Sequence, residues 1–531
     1  MTKLELYDCT LREGEQAAGA SFDIEGRIKL FSKLDEFGFD FIELGWPMVS
    51  QKVFDSFEAC RMVRKNAKIV AFGSTSRGTD VLNDDNLNLI LKTKADYACI
   101  FGKSHLEHVE KQLKLTPEEN LKRIYDSIVF LKKNGMPVFY DAEHFFDAFK
   151  EHKEYALETL VSAIKAGAER IILCDTNGGI LPDEAEQIVK ETSERLKEVN
   201  CNIGLGVHFH NDCGLALANT LAVLPNVSQV QGTINGIGER VGNLDFSEFI
   251  PICSSKLKID LNVKMNKLKE LSDFAFRMCG LDIPASRPFV GDYAFAHKGG
   301  VHIDAIVKGA SYEHITPEDF GNKRIIILNT LGGNAGVAAV AEQFGYKLDK
   351  KSEETKEKIK NLMGELSLLE EKGYRLGTIP AEQYLLIEKY FGNIETCFKI
   401  TNSRVETETI NFKEKSRFFM TGNVDDETFI EITEVEGGPV DAAYKTFVNV
   451  LANKYPAVKE LKIIDFHMGI AKSKAEESTV RTVISFADGE RFETVGVDTN
   501  MFQSAIEALE KGFRYYLNKQ RKSYLNGDKL N

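Results

Sequence analysis

Short apolar runs alternate with amphipathic stretches over the first half of the chain. The runs Leu4 to Cys9, Phe41 to Leu44, Lys68 to Phe72, Tyr97 to Phe101, Pro137 to Tyr140, Arg170 to Cys174, Ile203 to Val207 and Val230 to Ile234 have the length and composition of buried strands. Between them apolar positions recur at helical spacing. Ile24 to Phe37 carries Ile28, Leu30, Phe31, Leu34 and Phe37 in this way, and Pro117 to Lys133 carries Leu121, Ile124, Ile128 and Leu131. A strand-helix period of about 32 residues, filling about 255, predicts an α/β (β/α)8 TIM barrel. A doubly wound open sheet alternates similarly, but usually with fewer strands and a glycine-rich phosphate loop after the first. Here that place holds Asp8-Cys9-Thr10-Leu11-Arg12-Glu13-Gly14-Glu15.

Beyond the barrel, Asn262 to Leu281 reads as helix, and Pro284, Pro288, Gly291, Gly299 and Gly300 mark an irregular linker. The linker contains Ala296-His297-Lys298-Gly299-Gly300-Val301-His302, and Tyr312-Glu313-His314 follows. Histidines in such a connector more often serve a site than a core. Lys350 to Lys372 is a charged helical stretch whose opening Lys350-Lys351-Ser352-Glu353-Glu354 reads as a solvated face. From Glu395 the pattern becomes strands (Phe398 to Val405, Ser416 to Thr421, Phe429 to Val435), a helix (Val440 to Lys454), two strands (Val458 to Ile470, Val480 to Phe486) and a last helix (Met501 to Leu517). The domains expected are therefore a catalytic barrel over 1–260, a linker with helical subdomains over 261–394, and an α+β domain over 395–531. The last has no polar cluster at metal-ligand or acid/base spacing, which points to regulation or dimerisation.

Polar residues collect behind the strands: Arg12 and Glu13, Glu43, Ser74 and Thr75, Lys103, Glu143 and His144, Asp175 and Thr176, His208 and His210, then Asn235, Glu239 and Asn243. In a barrel those ends form one mouth, where residues distant in sequence converge. Loop polarity alone accounts for Glu43 or Ser74, but poorly for Arg12, Glu13, Asn243 and the histidine pair together. In His208-Phe209-His210-Asn211-Asp212 strand alternation turns both imidazoles to one face. Such a pair suits a divalent metal or a structural role, and its neighbours favour the metal. Glu13, His208, His210 and the amide oxygen of Asn243 are hard and borderline ligands that fit Mg²⁺, Mn²⁺ or Zn²⁺. A 2-oxo acid would fill open positions on such an ion. Arg12 would place a cation where an alkoxide or enolate develops, Thr176 a hydroxyl at the substrate carboxylate, and Glu143 a carboxylate for proton transfer.

Composition narrows the classes. A chain of 531 residues with 43% hydrophobic and 28% charged positions is globular and multidomain. A net charge of −13 discourages nucleic acid as partner. There is no apolar run of the roughly 20 residues that span a bilayer, and no secretory signal, so no membrane association and a cytoplasmic location are expected. The nine cysteines include no Cys-x-x-Cys pair and are expected to be reduced and mostly buried, with Cys174 and Cys213 as small core filler.

The stretches Asp8 to Gln16, His208 to Asp212, Gly232-Thr233-Ile234-Asn235-Gly236-Ile237-Gly238-Glu239-Arg240 and Gly242-Asn243 resemble the signatures of the 2-isopropylmalate, homocitrate and citramalate synthases, within the DRE-TIM metallolyases. The resemblance runs nearly end to end. Ala71 to Thr75, Ile100 to Ser104, Tyr140 to Phe146, Cys174 to Gly179 and Phe295 to His302 most resemble the long form of citramalate synthase. It implies an acyltransferase that joins acetyl-CoA to pyruvate in isoleucine biosynthesis. It implies metal ligation by Glu13, His208 and His210, with Asn243 a further candidate. Arg12 and Thr176 would bind the oxo acid with Gln16 and Tyr140 nearby. Glu143 would be catalytic, and His302 and Tyr312 would reach the partner subunit's active site in a homodimer. The C-terminal domain would bind the end product, isoleucine.

Glu13 stands where citramalate and isopropylmalate synthases usually carry Asp and homocitrate synthases Glu, so homocitrate and 2-isopropylmalate synthesis stay as alternatives with longer oxo acids. Leu331-Gly332-Gly333-Asn334 replaces a frequent Ser-Gly-Arg turn, and Glu477-Ser478-Thr479 a Gly-Thr turn of the last domain. A carbon–carbon lyase and a non-catalytic amino-acid-binding regulator are the readings of other classes.

Overall fold

The computed structural model describes residues 3–198, 203–307, 312–349, 351–392, 397–473 and 478–525; Lys350, Glu395 and Glu477 lie outside them. The chain divides into two compact units, Met1–Phe295 with Ile315–Lys323, and Ala296–His314 with Arg324–Asn531.

The first unit is a closed parallel barrel of β1 (Glu5–Asp8), β2 (Phe41–Gly45), β3 (Lys68–Ser74), β4 (Tyr97–Lys103), β5 (Val138–Glu143), β6 (Arg170–Asp175), β7 (Leu205–Phe209) and β8 (Gln229–Gly232), with β8 pairing back onto β1. Helices α1 (Ile24–Phe37), α2 (Gln51–Val63), α3 (Asp85–Lys92), α4 (Pro117–Lys133), α5 (Phe145–Ala166), α6 (Pro182–Glu198) and α7 (Ala216–Val223) connect the strands. The predicted limits of α1 and α4 coincide with those observed because both ends are signalled locally. Asp23 caps α1 and Gly38 ends it in the left-handed region, while Thr116 and Glu119 form a capping box ahead of Pro117.

Strand alternation separates two cores. Ile69, Ala71, Val138, Tyr140 and Ala142 join the layer beneath the helices. Their neighbours Val70, Phe72 and Phe139 point inward with Tyr7, Phe41, Cys99, Ile172 and Cys174. The Tyr97 and Phe139 rings stack at 4.7 Å and Phe41 meets Phe139 edge-on at 5.1 Å, so aromatic packing fills the interior.

The strand expected over Ile203 to Val207 lies over Leu205–Phe209, since the ladder continues through Cys174 with His208 and Asp175 with Phe209. Hydrophobicity undercounts a strand whose last inward residues are polar. Helix Leu268–Cys279 returns to the barrel's core through Leu268, Leu271, Ala275 and Phe276.

In the second unit, antiparallel sheets Phe398–Ile410, Lys413–Val424, Glu427–Val435 and Lys462–Ser473, Ser478–Ala487, Arg491–Asp498 pack with helices Pro439–Ala452 and Met501–Leu525 around Phe447, Phe486 and Phe513. One expectation is corrected. Pro456–Lys459 is a 3-10 turn and the strand starts at Lys462, because Pro456 favours the turn. Strand Arg491–Asp498 adds to the elements read from the sequence, and it carries Gly496. There a Cβ would stand 1.9 Å from the Ser504 carbonyl oxygen, so glycine lets the last helix lie directly on the strand. No helix among the described residues is long and apolar enough to cross a membrane.

Candidate active site

At the end of β1 the Asp8 carboxylate accepts from the Thr10 amide at 3.0 Å and the Thr10 hydroxyl at 2.7 Å. The Thr10 oxygen accepts from the Ile234 amide at 2.9 Å, which ties the first strand's end to the eighth's. The turn that follows, Thr10–Glu13, sets Arg12 and Glu13 at the mouth.

Ligand atoms of Glu13, His208 and His210, all buried, lie within 4.8 Å of one another. His208 Nε2 is 3.8 Å from Glu13 Oε1, and the two imidazole centroids are 5.2 Å apart. His208 Nδ1 is 2.9 Å from Gln231 Oε1, and Gln231 Nε2 reaches Asp141 Oδ1 at 3.5 Å. That chain leaves Nε2 turned to Glu13. His210 faces Asn243 across an isolated bridge, placing Asn243 beside the imidazoles. Glu13 Oε2, His210 Nδ1 and both amide atoms of Asn243 are buried with no hydrogen-bond partner. Buried acceptors left without partners beside the Glu13, His208 and His210 cluster fit a divalent cation. Burial raises the Glu13 carboxyl, but Arg12 and the two imidazoles outweigh it and bring it down to about 2. Burial, then His208, lowers His210 to about 3, so both groups hold their metal-ligating forms near neutrality.

Arg12 lies between carboxylates, donating through Nε to Glu43 and through Nη1 to Glu13, with its guanidinium 3.8 Å from the Phe72 ring centroid. Glu43 is fully buried on β2, and its other oxygen accepts from Tyr7 Oη at 2.5 Å. Loop polarity does not explain it; it is the counter-charge that aims Arg12. Phe72 and Phe101 stack at 5.4 Å, and Trp46 stands edge-on to them at 6.2 and 5.7 Å. An aromatic wall thus flanks Arg12.

Glu143 ends β5 and pairs with Lys103 of β4 at 2.6 Å. The His144 amide donates to Thr176 Oγ1 at 2.9 Å, and Arg240 donates to the Thr176 carbonyl at 2.9 Å. The Thr176 hydroxyl hydrogen remains available. Gln16 is exposed on the turn after Glu13. Tyr140 is not brought to the mouth. It is fully buried on the opposite face of β5 from Phe139 and Asp141, in the layer beneath the helices, because alternation sends it outward. His302 and Tyr312 belong to the second unit, where their rings stack at 4.4 Å. Cys174 is buried as expected, whereas Cys213 is exposed, because it follows the site motif into a loop. The cysteines among the described residues are free.

Sequence reasoning missed the support given by Glu43, Asp141 and Gln231. The available signal was a polar residue inside an otherwise apolar strand.

The HMGL-like family model matches residues 3–275, the homocitrate synthase post-HMGL domain-like model 289–366, and the LeuA allosteric (dimerisation) domain model 380–517. The chain is 40% identical to an (R)-citramalate synthase of Aquifex aeolicus, covering 97% of this chain and 98% of that one. It is 37% identical to an (R)-citramalate synthase of Sulfolobus acidocaldarius, covering 98% and 97%. A probable 2-isopropylmalate synthase of Methanopyrus kandleri is 31% identical over 70% of each chain. With a matching barrel model and relatives aligned along nearly its whole length, the chain belongs to the HMGL-like family, among the (R)-citramalate synthases.

Proposed function

We propose that the protein is a citramalate synthase that condenses acetyl-CoA with pyruvate and releases citramalate and CoA, a cytoplasmic step towards isoleucine. The observation that carries this reading is the buried Glu13, His208 and His210 cluster with Arg12 held beside it. Glu13, His208, His210 and Asn243 would hold a divalent metal, Mg²⁺, Mn²⁺ or Zn²⁺, which when bound polarises the oxo acid's ketone. Arg12 offers its remaining N–H groups to the ketone oxygen as charge builds there, and Glu43 keeps the guanidinium from swinging away. The Thr176 hydroxyl donates to the substrate carboxylate. Glu143 takes a proton from the acetyl methyl, with Lys103 holding its carboxylate. His302 and Tyr312, as a stacked pair, complete the site of the partner subunit in a homodimer. The parts of the chain are the barrel over 1–260, the linker over 261–394 and a regulatory, dimerising domain over 395–531 that takes isoleucine.

The wall of Trp46, Phe72 and Phe101 favours a methyl over a branched substituent. Arg12, Lys103 and Arg240 each already face a carboxylate, which disfavours the second acid group of 2-oxoglutarate. CoA release should therefore be fastest with pyruvate. Each added methylene is worth about 1–3 kcal/mol, so 2-oxoisovalerate should lag by about tenfold or more. Faster release with either longer acid overturns the assignment.

Asn243 gives a second check. Gly242 has φ +96°, and a Cβ on it would stand 1.8 Å from the Gly236 carbonyl oxygen. Gly242→Ala should displace Asn243 and weaken metal binding, measured by calorimetric titration of Mn²⁺, by about 10-fold or more. Unchanged affinity removes Asn243 from the ligand set.

A further inference from the structure

Four imidazoles converge beside Glu143 on irregular pieces of backbone. His144 and His108 have ring centroids 4.3 Å apart, His108 and His105 5.1 Å, and His105 and His152 6.0 Å. His144 follows Glu143 directly and holds φ at +58°, with its backbone N–H donating to Thr176 Oγ1. His108 opens a π-helical turn over His108–Leu113, a rare form that recurs at functional sites. His152 breaks the helical dihedrals inside α5. Three of the four rings thus sit where the backbone departs from its regular geometry, and each ring centroid lies within 6.0 Å of the next along the series. The line ends at the surface. His105 Nε2 lies 3.1 Å from the exposed carboxylate of Glu151, and His152 is half-buried.

We propose that His144, His108, His105 and His152 form a proton relay from Glu143 to solvent. The inference rests on the reading of Glu143 as the base. In the condensation the methyl C–H bond breaks and its electron pair forms the C–C bond to the ketone carbon. The ketone's π pair becomes an alkoxide, which takes up a proton. Hydrolysis then uses one water, breaks the C–S bond and yields CoA thiol and a carboxylic acid that ionises. One proton is left over in each turnover and must leave a mouth that binds its substrates closely.

Packing alone does not account for the cluster. Imidazole nitrogens that only fill space are satisfied, yet the buried Nδ1 atoms of His105 and His108 have no hydrogen-bond partner, while His144 Nδ1 lies 3.8 Å from the Asp147 carboxylate. Nor do these rings make a second metal centre, since among the described residues only Glu13, His208 and His210 bring three ligand atoms within reach of one ion. A relay ring must be neutral at working pH to accept a proton. Burial, then His144, Lys103 and His105, lowers His108 below the usual imidazole value, and Glu143 opposes them. Asp147 and Glu151 of α5, and Glu107 with its partner Lys111 at the π-turn, are other charged groups around the cluster.

The test is CoA release by the full-length, metal-supplemented protein as imidazole is added to a weak, non-transferring buffer. His108→Gln, which keeps most of the volume, should lose turnover on the order of tenfold or more in weak buffer with KM unchanged. Added imidazole should restore it, as a small carrier replaces the missing ring. His105→Gln, further along the line, should behave in the same way and stands in should the first variant not fold. Parent-like turnover in weak buffer, or loss that imidazole does not restore, overturns the relay. Glu143→Gln separates the two readings through exchange of acetyl-CoA methyl deuterium with solvent. If that variant still exchanges, Glu143 is not the base. If it does not exchange and His108→Gln shows no rescue, the relay alone fails.

Discussion

His208→Ala is expected to abolish CoA release, by about 10³-fold or more, while the barrel stays folded. The imidazole is held on both sides: Gln231 binds Nδ1, and Nε2 faces Glu13. Its loss deletes one proposed ligand and leaves Glu13 with Arg12 as its nearer partner. Metal affinity should fall with activity, and excess Mn²⁺ should not restore either. The stability cost should be about 1–3 kcal/mol, since the residue sits at the mouth and the packed layers below it are untouched. Circular dichroism should be unchanged. Gln231→Leu should give a graded version, costing about 10–100-fold in metal affinity, because it frees the imidazole to rotate without deleting it. Normal turnover of His208→Ala would remove the metal from the reaction altogether.

Arg12→Lys should lower kcat/KM by about 10²–10³-fold although the charge is kept. The guanidinium makes two directed contacts, Nε to Glu43 and Nη1 to Glu13, while lying over Phe72. An ammonium cannot span two carboxylates and cover a ring from one position. Burial already raises Glu43, with Arg12 and the Tyr7 hydroxyl opposing, so a misplaced lysine should leave it protonated. Glu43→Gln should lose less than Arg12→Lys, since an amide oxygen can still accept from the guanidinium. Because the two residues share one contact, the double variant should be no worse than the lysine variant alone. Retention of more than a tenth of the activity by Arg12→Lys would mean that charge suffices and aim does not matter.

The part of the fold written locally was legible. Helix limits follow from Asp23, Thr116 and Glu119, and the barrel from the regular return of apolar runs. The residues proposed as ligands were legible as types, because a carboxylate in the turn after β1 and two histidines at the end of an apolar strand are costly to bury without a purpose. The strands themselves hid their phase. In a parallel barrel both faces are buried, so Pro137 to Tyr140 reads as one apolar run and nothing local says which parity points inward. Only the family resemblance put Tyr140 near the substrate, and the run by itself does not single out Asp141, one residue on, as the inward one.

Residue order alone therefore determined the repeat, the capped helices and the chemical character of the mouth. It could not determine which carboxylate neutralises Arg12, which amide orients His208 or which imidazoles line up behind Glu143. Those pairings join residues as distant as Arg12 and Glu43, or Asp141 and Gln231, and exist only once closure of β8 onto β1 sets the inward parity of every strand together. Local preferences act over one helical turn or one strand, whereas barrel closure is a condition on all the strands at once.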